Sequence, residues 1–152
     1  MFYYSYNTLI GKIYIAEENG FITNISFKKI NAKEKETQLI KQAFNELNEY
    51  FNGERKFFDL PLAPLGTRFQ QKVWKELQKI PYGQTVTYKY IAKQTGNEKA
   101  CRAVGMANNK NPIAIIIPCH RVIGSNSSLT GYAGGIKIKQ KLLELEEKVL
   151  SL

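Results

Sequence analysis

The stretch TYKYIAKQTGNEKACRAVGMANN, residues 87–109, predicts two short helices joined by a tight turn. The first helix begins near Thr87 and ends at Gly96, and Asn97 is placed to cap a second helix that runs toward Asn108. Two short helices with a glycine in the turn are typical of a helix-turn-helix, although such pairs also pack ordinary helical cores. The charge of the surrounding chain favours the DNA-binding interpretation.

The positive charge of the chain is concentrated in its second part. The net charge is +9, yet residues 1–60 hold eight basic and eight acidic residues, whereas residues 61–152 hold fourteen and five. A positive field on one part of the chain favours binding to a polyanion, either nucleic acid or an acidic membrane surface. The alternative interpretation is that these charges lie on solvated helix faces of a lysine-rich protein.

Neither a membrane helix nor a signal peptide is predicted. No apolar run approaches the ~18 residues that a membrane helix requires, and the start MFYYSYNTLIGK lacks a basic region followed by a long apolar core. With two cysteines and no other sign of export, we expect free thiols and a cytoplasmic protein, associated with the nucleoid in a prokaryote.

Upstream of the helix pair, the chain predicts a small domain of a different kind. Apolar and polar residues alternate over residues 1–28, which indicates antiparallel strands. A helix with apolar residues at helical spacing follows and ends near Gly53, and the proline-containing stretch 53–66 is the best candidate linker. We therefore expect an α+β fold, with an N-terminal sheet-plus-helix domain at 1–60 and a mostly helical C-terminal domain at 61–152.

Three further features of the second domain are predicted. Thr67 and Gln70 form a T-x-x-Q capping box in front of an apolar helical stripe. The isoleucine-rich run 113–117 is too short for a helix and too apolar for a surface loop, so we expect it to be buried and extended before Pro118. A final helix places Glu146 at the edge of the apolar stripe Ile138, Leu142, Leu145 and Val149.

The chain places its only histidine, His120, directly after Cys119. A nearby imidazole and cationic surroundings lower the pKa of a thiol and favour the reactive thiolate. Neighbouring side chains of an extended chain point to opposite sides, so a relay through one water molecule suits this pair better than a direct hydrogen bond. The structural alternative is a buried cysteine that acts as a small hydrophobe beside a histidine held by the backbone.

Other cysteine chemistries fit the sequence poorly. A cysteine protease needs a histidine that reaches the thiol directly, and the chain has no second histidine. One histidine and two cysteines do not make a zinc shell, and no Cys or His precedes Cys101, so no metal site is expected. A redox pair is also disfavoured because there is no C-x-x-C motif.

The motifs around Cys119 together resemble the O6-alkylguanine-DNA alkyltransferases. They are IPCHRVIG, the preceding NP, LTGYAGG and LLELE downstream, and upstream GTRFQQKVW, PYGQTVTY and GNEKACRAVGMANNKNP. The match is dense from about residue 65 to 150, whereas 1–60 matches only in layout. The resemblance implies a ribonuclease H-like first domain and a winged helix-turn-helix-like motif in the second.

The resemblance further implies a DNA repair protein that removes an alkyl group from guanine O6 in duplex DNA and keeps it. Carried over by position, Cys119 is the alkyl acceptor and His120 is the base that acts through water. Glu146 orients His120, and Asn111 ties the cysteine-bearing segment to the preceding turn. No cofactor is required, and the protein is expected to act once, as a monomer.

Four other positions match residues of the family that handle the DNA. Arg102 corresponds to the residue that enters the base stack where the damaged nucleotide has left, and Tyr88 to the tyrosine that presses on the neighbouring phosphate. Tyr132 lines the guanine pocket, where Ala133 offers only its backbone N–H. The family docks its helix-turn-helix in the minor groove of duplex DNA. Ser127 stands where relatives often have glycine.

Two alternative functions remain at this point. The first is a non-enzymatic DNA-binding module that recognises alkylated bases or regulates transcription, in which Cys119 is incidental. The second, far less favoured, is a general cysteine-dependent hydrolase.

Overall fold

A computed structural model describes all 152 residues and divides the chain into two compact units. The first unit comprises Met1–Leu65 with Pro112–Ala114, and the second comprises Gly66–Asn111 with Ile115–Leu152. The second unit thus contains the predicted helix pair and Cys119, while a three-residue segment just before Cys119 belongs to the first.

The first unit is a four-stranded sheet covered by one helix. Its elements are β1 (Phe2–Thr8), β2 (Gly11–Glu18), β3 (Phe21–Ser26), β4 (Lys33–Glu34) and α1 (Gln38–Phe51). The strand order is β3-β2-β1-β4, and only the β1–β4 pair is parallel. The predicted strands and helix are confirmed, and the short edge strand β4 was not predicted.

Alternation of side chains explains the sheet and its core. Ile13 and Ile15 on β2 are fully buried, and Ile15 lies opposite Ile25 of β3. The turn between β2 and β3 has φ of +53° at Asn19 and +82° at Gly20. An Asn-Gly pair tolerates these angles better than other residues, which is why the chain reverses there.

The outer edge of β3 is paired with irregular chain rather than left open. Ile22 donates its N–H to the carbonyl of Pro61 at 2.8 Å, and Ile25 donates to the carbonyl of Pro112 at 2.9 Å. The N–H of Ala114 returns a bond to the Ile25 carbonyl at 3.1 Å. These bonds are the reason that Pro112–Ala114 belongs to the first unit.

The second unit is built from four helices, one short helical turn and a two-stranded ribbon. Its elements are α2 (Arg68–Leu77), β5 (Val86–Thr87), α3 (Tyr88–Gln94), α4 (Cys101–Asn109), a 3₁₀ turn at Cys119–Arg121, β6 (Val122–Ile123) and α5 (Ile136–Leu150). Strands β5 and β6 pair in parallel and were not predicted. The predicted helix pair corresponds to α3 and α4 and packs on α2, where the buried Trp74 Nε1 donates to the Ala107 carbonyl at 2.9 Å.

Three local predictions were wrong. Asn97 does not cap α4: its side chain accepts from the N–H of Lys99, and the N-cap is Ala100, which makes no side-chain cap bond. The run 113–117 is buried but folds as a turn instead of an extended strand, because Ile115 adopts φ of +73°. The buried stripe of α5 contains Lys139, Leu142 and Glu146, so Glu146 lies within the stripe and not at its edge.

The capping box of α2 is present as predicted. The Thr67 hydroxyl accepts from the Gln70 N–H at 3.2 Å, and the Gln70 side chain accepts from the Thr67 N–H at 2.9 Å. We expect Thr67→Ala to lower the free energy of unfolding by about 1 kcal/mol, because it leaves helical N–H groups unpaired. Urea denaturation measures the effect, and Thr67→Ser, which keeps the hydroxyl, serves as the control. Equal stability of the alanine and serine variants would contradict the assignment.

No helix of the structure combines the length and the apolar composition needed to cross a membrane.

Candidate active site

The backbone around Cys119 is fixed by a sequence of tight turns. Pro118 has φ of −80° and ψ of 63°, and the Cys119 N–H donates to the Ile117 carbonyl at 2.7 Å. These values describe an inverse γ-turn, which proline favours because its ring already fixes φ. Cys119 then begins the 3₁₀ turn, whose closing bond runs from the Val122 N–H to the Cys119 carbonyl.

Two asparagines, one in the last turn of α4 and one just beyond the helix, reach this backbone. Asn111 Nδ2 donates to the Ile117 carbonyl at 2.8 Å, and the Asn111 side chain also hydrogen-bonds the Cys119 thiol. Asn108 Nδ2 donates to the Cys119 carbonyl at 3.3 Å. The helix predicted to contact DNA is therefore joined directly to the cysteine and to the turn that carries it.

Burial has the largest effect on the pKa of the Cys119 thiol. The residue is 3% exposed, and burial raises the pKa of the thiol to about 11, although the Asn111 hydrogen bond and the Lys139 charge both act to lower it. The sequence predicted a lowered pKa, and that prediction was wrong for the free protein because the thiolate loses its hydration in this site. At neutral pH the sulfur is therefore protonated and requires a base.

Glu146 is the centre of a buried ionic network beside the cysteine. Its Oε2 lies 2.6 Å from His120 Nε2 and 3.0 Å from Arg121 Nη2, and its Oε1 accepts from Arg121 Nε at 2.9 Å. The N–H of Gly83 also donates to Oε1 at 2.9 Å. Burial alone would raise the pKa of Glu146, but the contacts with His120 and Arg121 outweigh it and lower the pKa to about 2.

Burial keeps His120 neutral despite its contact with Glu146. Burial lowers the pKa of His120, and the attraction of Glu146 only partly opposes this. Because the carboxylate of Glu146 can only accept, Nε2 of His120 must carry the proton that is shared with it. The other ring nitrogen, Nδ1, is buried and has no hydrogen-bond partner within the protein. His120 thus presents an unprotonated nitrogen, which is what a general base requires.

Lys139 is a second buried cation that the sequence did not predict. It is fully buried, and its Nζ donates to the carbonyls of Val122 and Thr130, the latter at 2.7 Å. Burial lowers the pKa of Lys139, whereas its interaction with Cys119 raises it. The ammonium group therefore both fastens the loop that follows β6 and offers positive charge to the sulfur.

The loop between β6 and α5 brings Tyr132 to the cysteine. Tyr132 is 7% exposed, and burial followed by the charge of Cys119 raises the pKa of its hydroxyl well above 10. Ala133 is exposed. The Tyr88 hydroxyl donates to the Thr130 carbonyl at 3.1 Å, so Tyr88 and Lys139 bind the same carbonyl.

Arg102 lies away from this buried group, exposed in the first turn of α4. The α3–α4 pair presents several further exposed cations, namely Lys89, Lys93, Lys99 and Lys110. Exposed lysines and arginines on one helix pair are typical of a surface that contacts phosphates.

The structure therefore brings Cys119, His120, Glu146, Asn111 and Tyr132 together, and places Tyr88 beside the loop that carries Tyr132. Sequence reasoning missed Arg121, Lys139 and Asn108 as members of the site. Arg121 could have been identified from its position directly after His120. Nothing in the local sequence distinguishes Lys139 from the exposed lysines of α5. No group of three or more His, Cys, Asp or Glu side chains is arranged to hold a metal ion.

Comparison with protein families matches both parts of the chain. Residues 68–148 match the DNA-binding domain of 6-O-methylguanine DNA methyltransferase. Residues 1–64 match the ribonuclease-like domain of 6-O-methylguanine DNA methyltransferase. The two matches together cover nearly the whole chain.

Curated relatives and solved structures agree with these families. The chain is 50% identical to a methylated-DNA–protein-cysteine methyltransferase of Methanosarcina acetivorans, over 96% of this chain and 98% of the relative. It is 47% identical to the constitutive enzyme of that name in Bacillus subtilis, with 95% and 94% covered. The crystal structure of Mycobacterium tuberculosis OGT in complex with DNA superposes with a TM-score of 0.92 at 44% identity, covering 98% of this chain and 94% of that one.

Proposed function

The chain belongs to the O6-methylguanine DNA methyltransferase family of DNA repair proteins, which transfer a methyl group from DNA to a protein cysteine, and we propose that this cysteine is Cys119. The observation that carries the proposal is the neutral His120, held by Glu146 at 2.6 Å, with its free Nδ1 buried next to the thiol-bearing residue. Cys101, the other cysteine, makes no contact with a histidine or a carboxylate side chain that would activate it; its thiol donates to the Glu98 carbonyl.

These groups account for the proton and the electron pairs that move during methyl transfer. The proton of the Cys119 thiol passes through one bridging water molecule to Nδ1 of His120, and the sulfur attacks the methyl carbon. A C–S bond forms as the C–O6 bond breaks, and the electron pair leaves with guanine. Hydrogen-bond donors at O6 stabilise that leaving group, and the Tyr132 hydroxyl and the backbone N–H groups that follow it, including that of Ala133, are the local donors.

Burial of Cys119 requires the substrate nucleotide to leave the duplex. A base inside the helix cannot reach a sulfur that is 3% exposed, and turning the nucleotide out costs a few kcal/mol of pairing and stacking. Arg102, exposed on α4, fills the gap in the stack from the minor groove, and Tyr88 presses on the neighbouring phosphate. Arg102 thereby offsets part of the cost of unstacking.

Each protein molecule acts once, because the product of methyl transfer is stable. The thioether on Cys119 has no hydrolytic route back, and no second thiol lies beside it to displace the methyl group. The reaction uses no cofactor, and one chain holds every group named above, so the protein acts as a monomer. DNA as the substrate and two free thiols are consistent with action in the cytoplasm.

Intact mass after reaction tests the proposal. The protein is incubated with a duplex that carries one O6-methylguanine, and we expect a gain of one methylene per chain, located on Cys119 and absent from Cys119→Ala. Cys101→Ser is the matched control and should gain the same mass. An unchanged wild-type mass with tight lesion binding would instead support a DNA-binding module, and repeated turnover of an ester would support a hydrolase.

Arg102→Ala separates nucleotide flipping from chemistry. Arg102 is exposed and makes no contact with Cys119 or His120, so the variant should react normally with free O6-benzylguanine while repairing duplex DNA at least about 10-fold more slowly, since unstacking costs a few kcal/mol. Single-turnover rate constants for the two substrates measure the difference. Equal slowing with both substrates would remove Arg102 from the flipping step.

A further inference from the structure

The peptide groups on both sides of the Cys119 Cα are held by hydrogen bonds. On the amino side, the Cys119 N–H donates to the Ile117 carbonyl, which also accepts from Asn111 Nδ2. On the carboxyl side, the Cys119 carbonyl accepts from the Val122 N–H and from Asn108 Nδ2. Because two peptide planes determine the direction of the Cα–Cβ bond between them, these contacts fix the bond from which the sulfur extends. The hydrogen bond from the Asn111 side chain to the thiol then restrains rotation about that bond.

Asn108 is unusual among these groups because the oxygen of its side-chain amide has no hydrogen-bond partner within the protein. The side chain is 1% exposed, Nδ2 is used by the Cys119 carbonyl, and Oδ1 is buried with no hydrogen-bond partner within the protein. A buried acceptor without a partner costs free energy, and an apolar side chain of the same size would avoid that cost. Stability alone therefore does not account for an asparagine at this position of α4.

We propose that Asn108 is a positioning residue for methyl transfer, whose Nδ2–H···O bond to the Cys119 carbonyl aims the sulfur at the methyl carbon. The inference rests on the proposed role of Cys119 as acceptor. Displacement at a methyl carbon requires the sulfur, carbon and leaving oxygen to lie nearly in line, and small errors of placement lower the rate steeply. The bond comes from α4, so the helix that faces DNA also fixes the direction of the nucleophile.

Asn108→Leu tests this role, because leucine has the same number and branching of side-chain heavy atoms and removes both the donor and the unsatisfied oxygen. We expect the variant to fold and yet to transfer from free O6-benzylguanine at least about 10-fold more slowly. The loss should appear in the maximal rate constant and not in the concentration that half-saturates it. Free base is the probe because it removes any contribution of DNA binding by α4.

Two further measurements distinguish positioning from a structural role. The pH dependence of transfer should keep its shape in Asn108→Leu, because the amide does not titrate. Asn109→Leu, an exposed neighbour on the same helix, should react with free base at the wild-type rate. If Asn108→Leu melts below the wild type, Asn108→Ala is compared at a temperature where it is fully folded, and the same slowing is expected.

The outcomes separate this inference from the proposed function. A folded Asn108 variant that reacts within about twofold of the wild type overturns the positioning role while leaving Cys119 as the acceptor. A wild-type protein that gains no mass on Cys119 overturns both.

Discussion

Replacing Glu146 with alanine is expected to lower the free energy of unfolding by about 3–5 kcal/mol, because it leaves buried charge without a counter-ion. Glu146 receives bonds from Arg121, His120 and the Gly83 N–H, and it is fully buried. Without the carboxylate, the Arg121 guanidinium keeps only its bond to the Ile80 carbonyl. Urea denaturation measures the loss.

The same variant should lose methyl transfer by at least about 100-fold at a temperature where it remains folded. Glu146 holds the proton on Nε2 of His120, and without that bond the imidazole can rotate or change tautomer and no longer presents Nδ1 as a base. Glu144→Ala and Glu147→Ala are matched controls on the same helix, because both side chains are exposed. Equal effects at the three positions would show that charge on α5, and not this network, is responsible.

Low pH should reproduce part of the loss of stability that is expected for Glu146→Ala. The pKa of Glu146 falls from 4.5 to about 2 in the folded protein, so its ionised form stabilises the fold fully above pH 4.5. That contribution, about 3 kcal/mol, disappears as the pH falls toward 2. The folded-state pKa of His120 is also below its ordinary value of 6.5, so stability already begins to fall below pH 6.5. Glu146→Ala should lose the lower part of this pH dependence.

Replacing His120 with phenylalanine is expected to slow methyl transfer by about 100- to 10,000-fold at pH 7.5, the range for loss of a general base. The Cys119 pKa of about 11 leaves very little thiolate at that pH, so the reaction depends on a group that takes the proton. Glu146 keeps its contacts with Arg121 in this variant, so the ionic pair that stabilises the fold persists.

The pH profile identifies the cause of that slowing. In wild-type protein, the rate should be nearly flat above pH 6.5 and fall at lower pH, as neutral His120 becomes protonated at a pKa below 6.5. In His120→Phe, the rate should rise about tenfold per pH unit toward pH 11, because hydroxide must then remove the thiol proton. Single-turnover mass spectrometry across the pH range measures both, in a Cys101→Ser background. A rate within about threefold of the wild type at pH 7.5 would exclude His120 as the base.

Strands and helix caps were predictable because they depend on nearest neighbours in the chain. Ile13 and Ile15 alternate with polar residues, and a side-chain period of two specifies a half-buried strand wherever it packs. The side chains of Thr67 and Gln70 each accept a hydrogen bond from the other's backbone N–H within one helical turn. Four residues were therefore enough to predict where α2 begins. The capping role expected of Asn97 was wrong because its side chain closes a local turn with Lys99 instead.

The choice among similar residues was not predictable in the same way. Glu144, Glu146 and Glu147 lie within one turn of α5, and only packing of that helix against the 3₁₀ turn at Cys119–Arg121 buries Glu146. Lys139 is buried where its ammonium group binds the carbonyls of Val122 and Thr130, although Lys137 and Lys141 on either side of it are exposed. Family resemblance pointed to Glu146, whereas the chain pattern alone gave no reason to prefer it.

The sequence by itself determined the α+β fold, the helix pair and the pairing of the only histidine with a neighbouring thiol, because periodicity, capping and adjacency are local properties. Only the tertiary structure decided the protonation states of that pair and the hydrogen bonds that hold the backbone around the cysteine. Burial raises the pKa of Cys119, and burial together with the charge of Arg121 lowers the pKa of His120 against the attraction of Glu146. Asn108 of α4 and Asn111 just beyond it hydrogen-bond the peptide groups around the cysteine. Each of these effects arises from groups that are distant in the chain and adjacent only after folding.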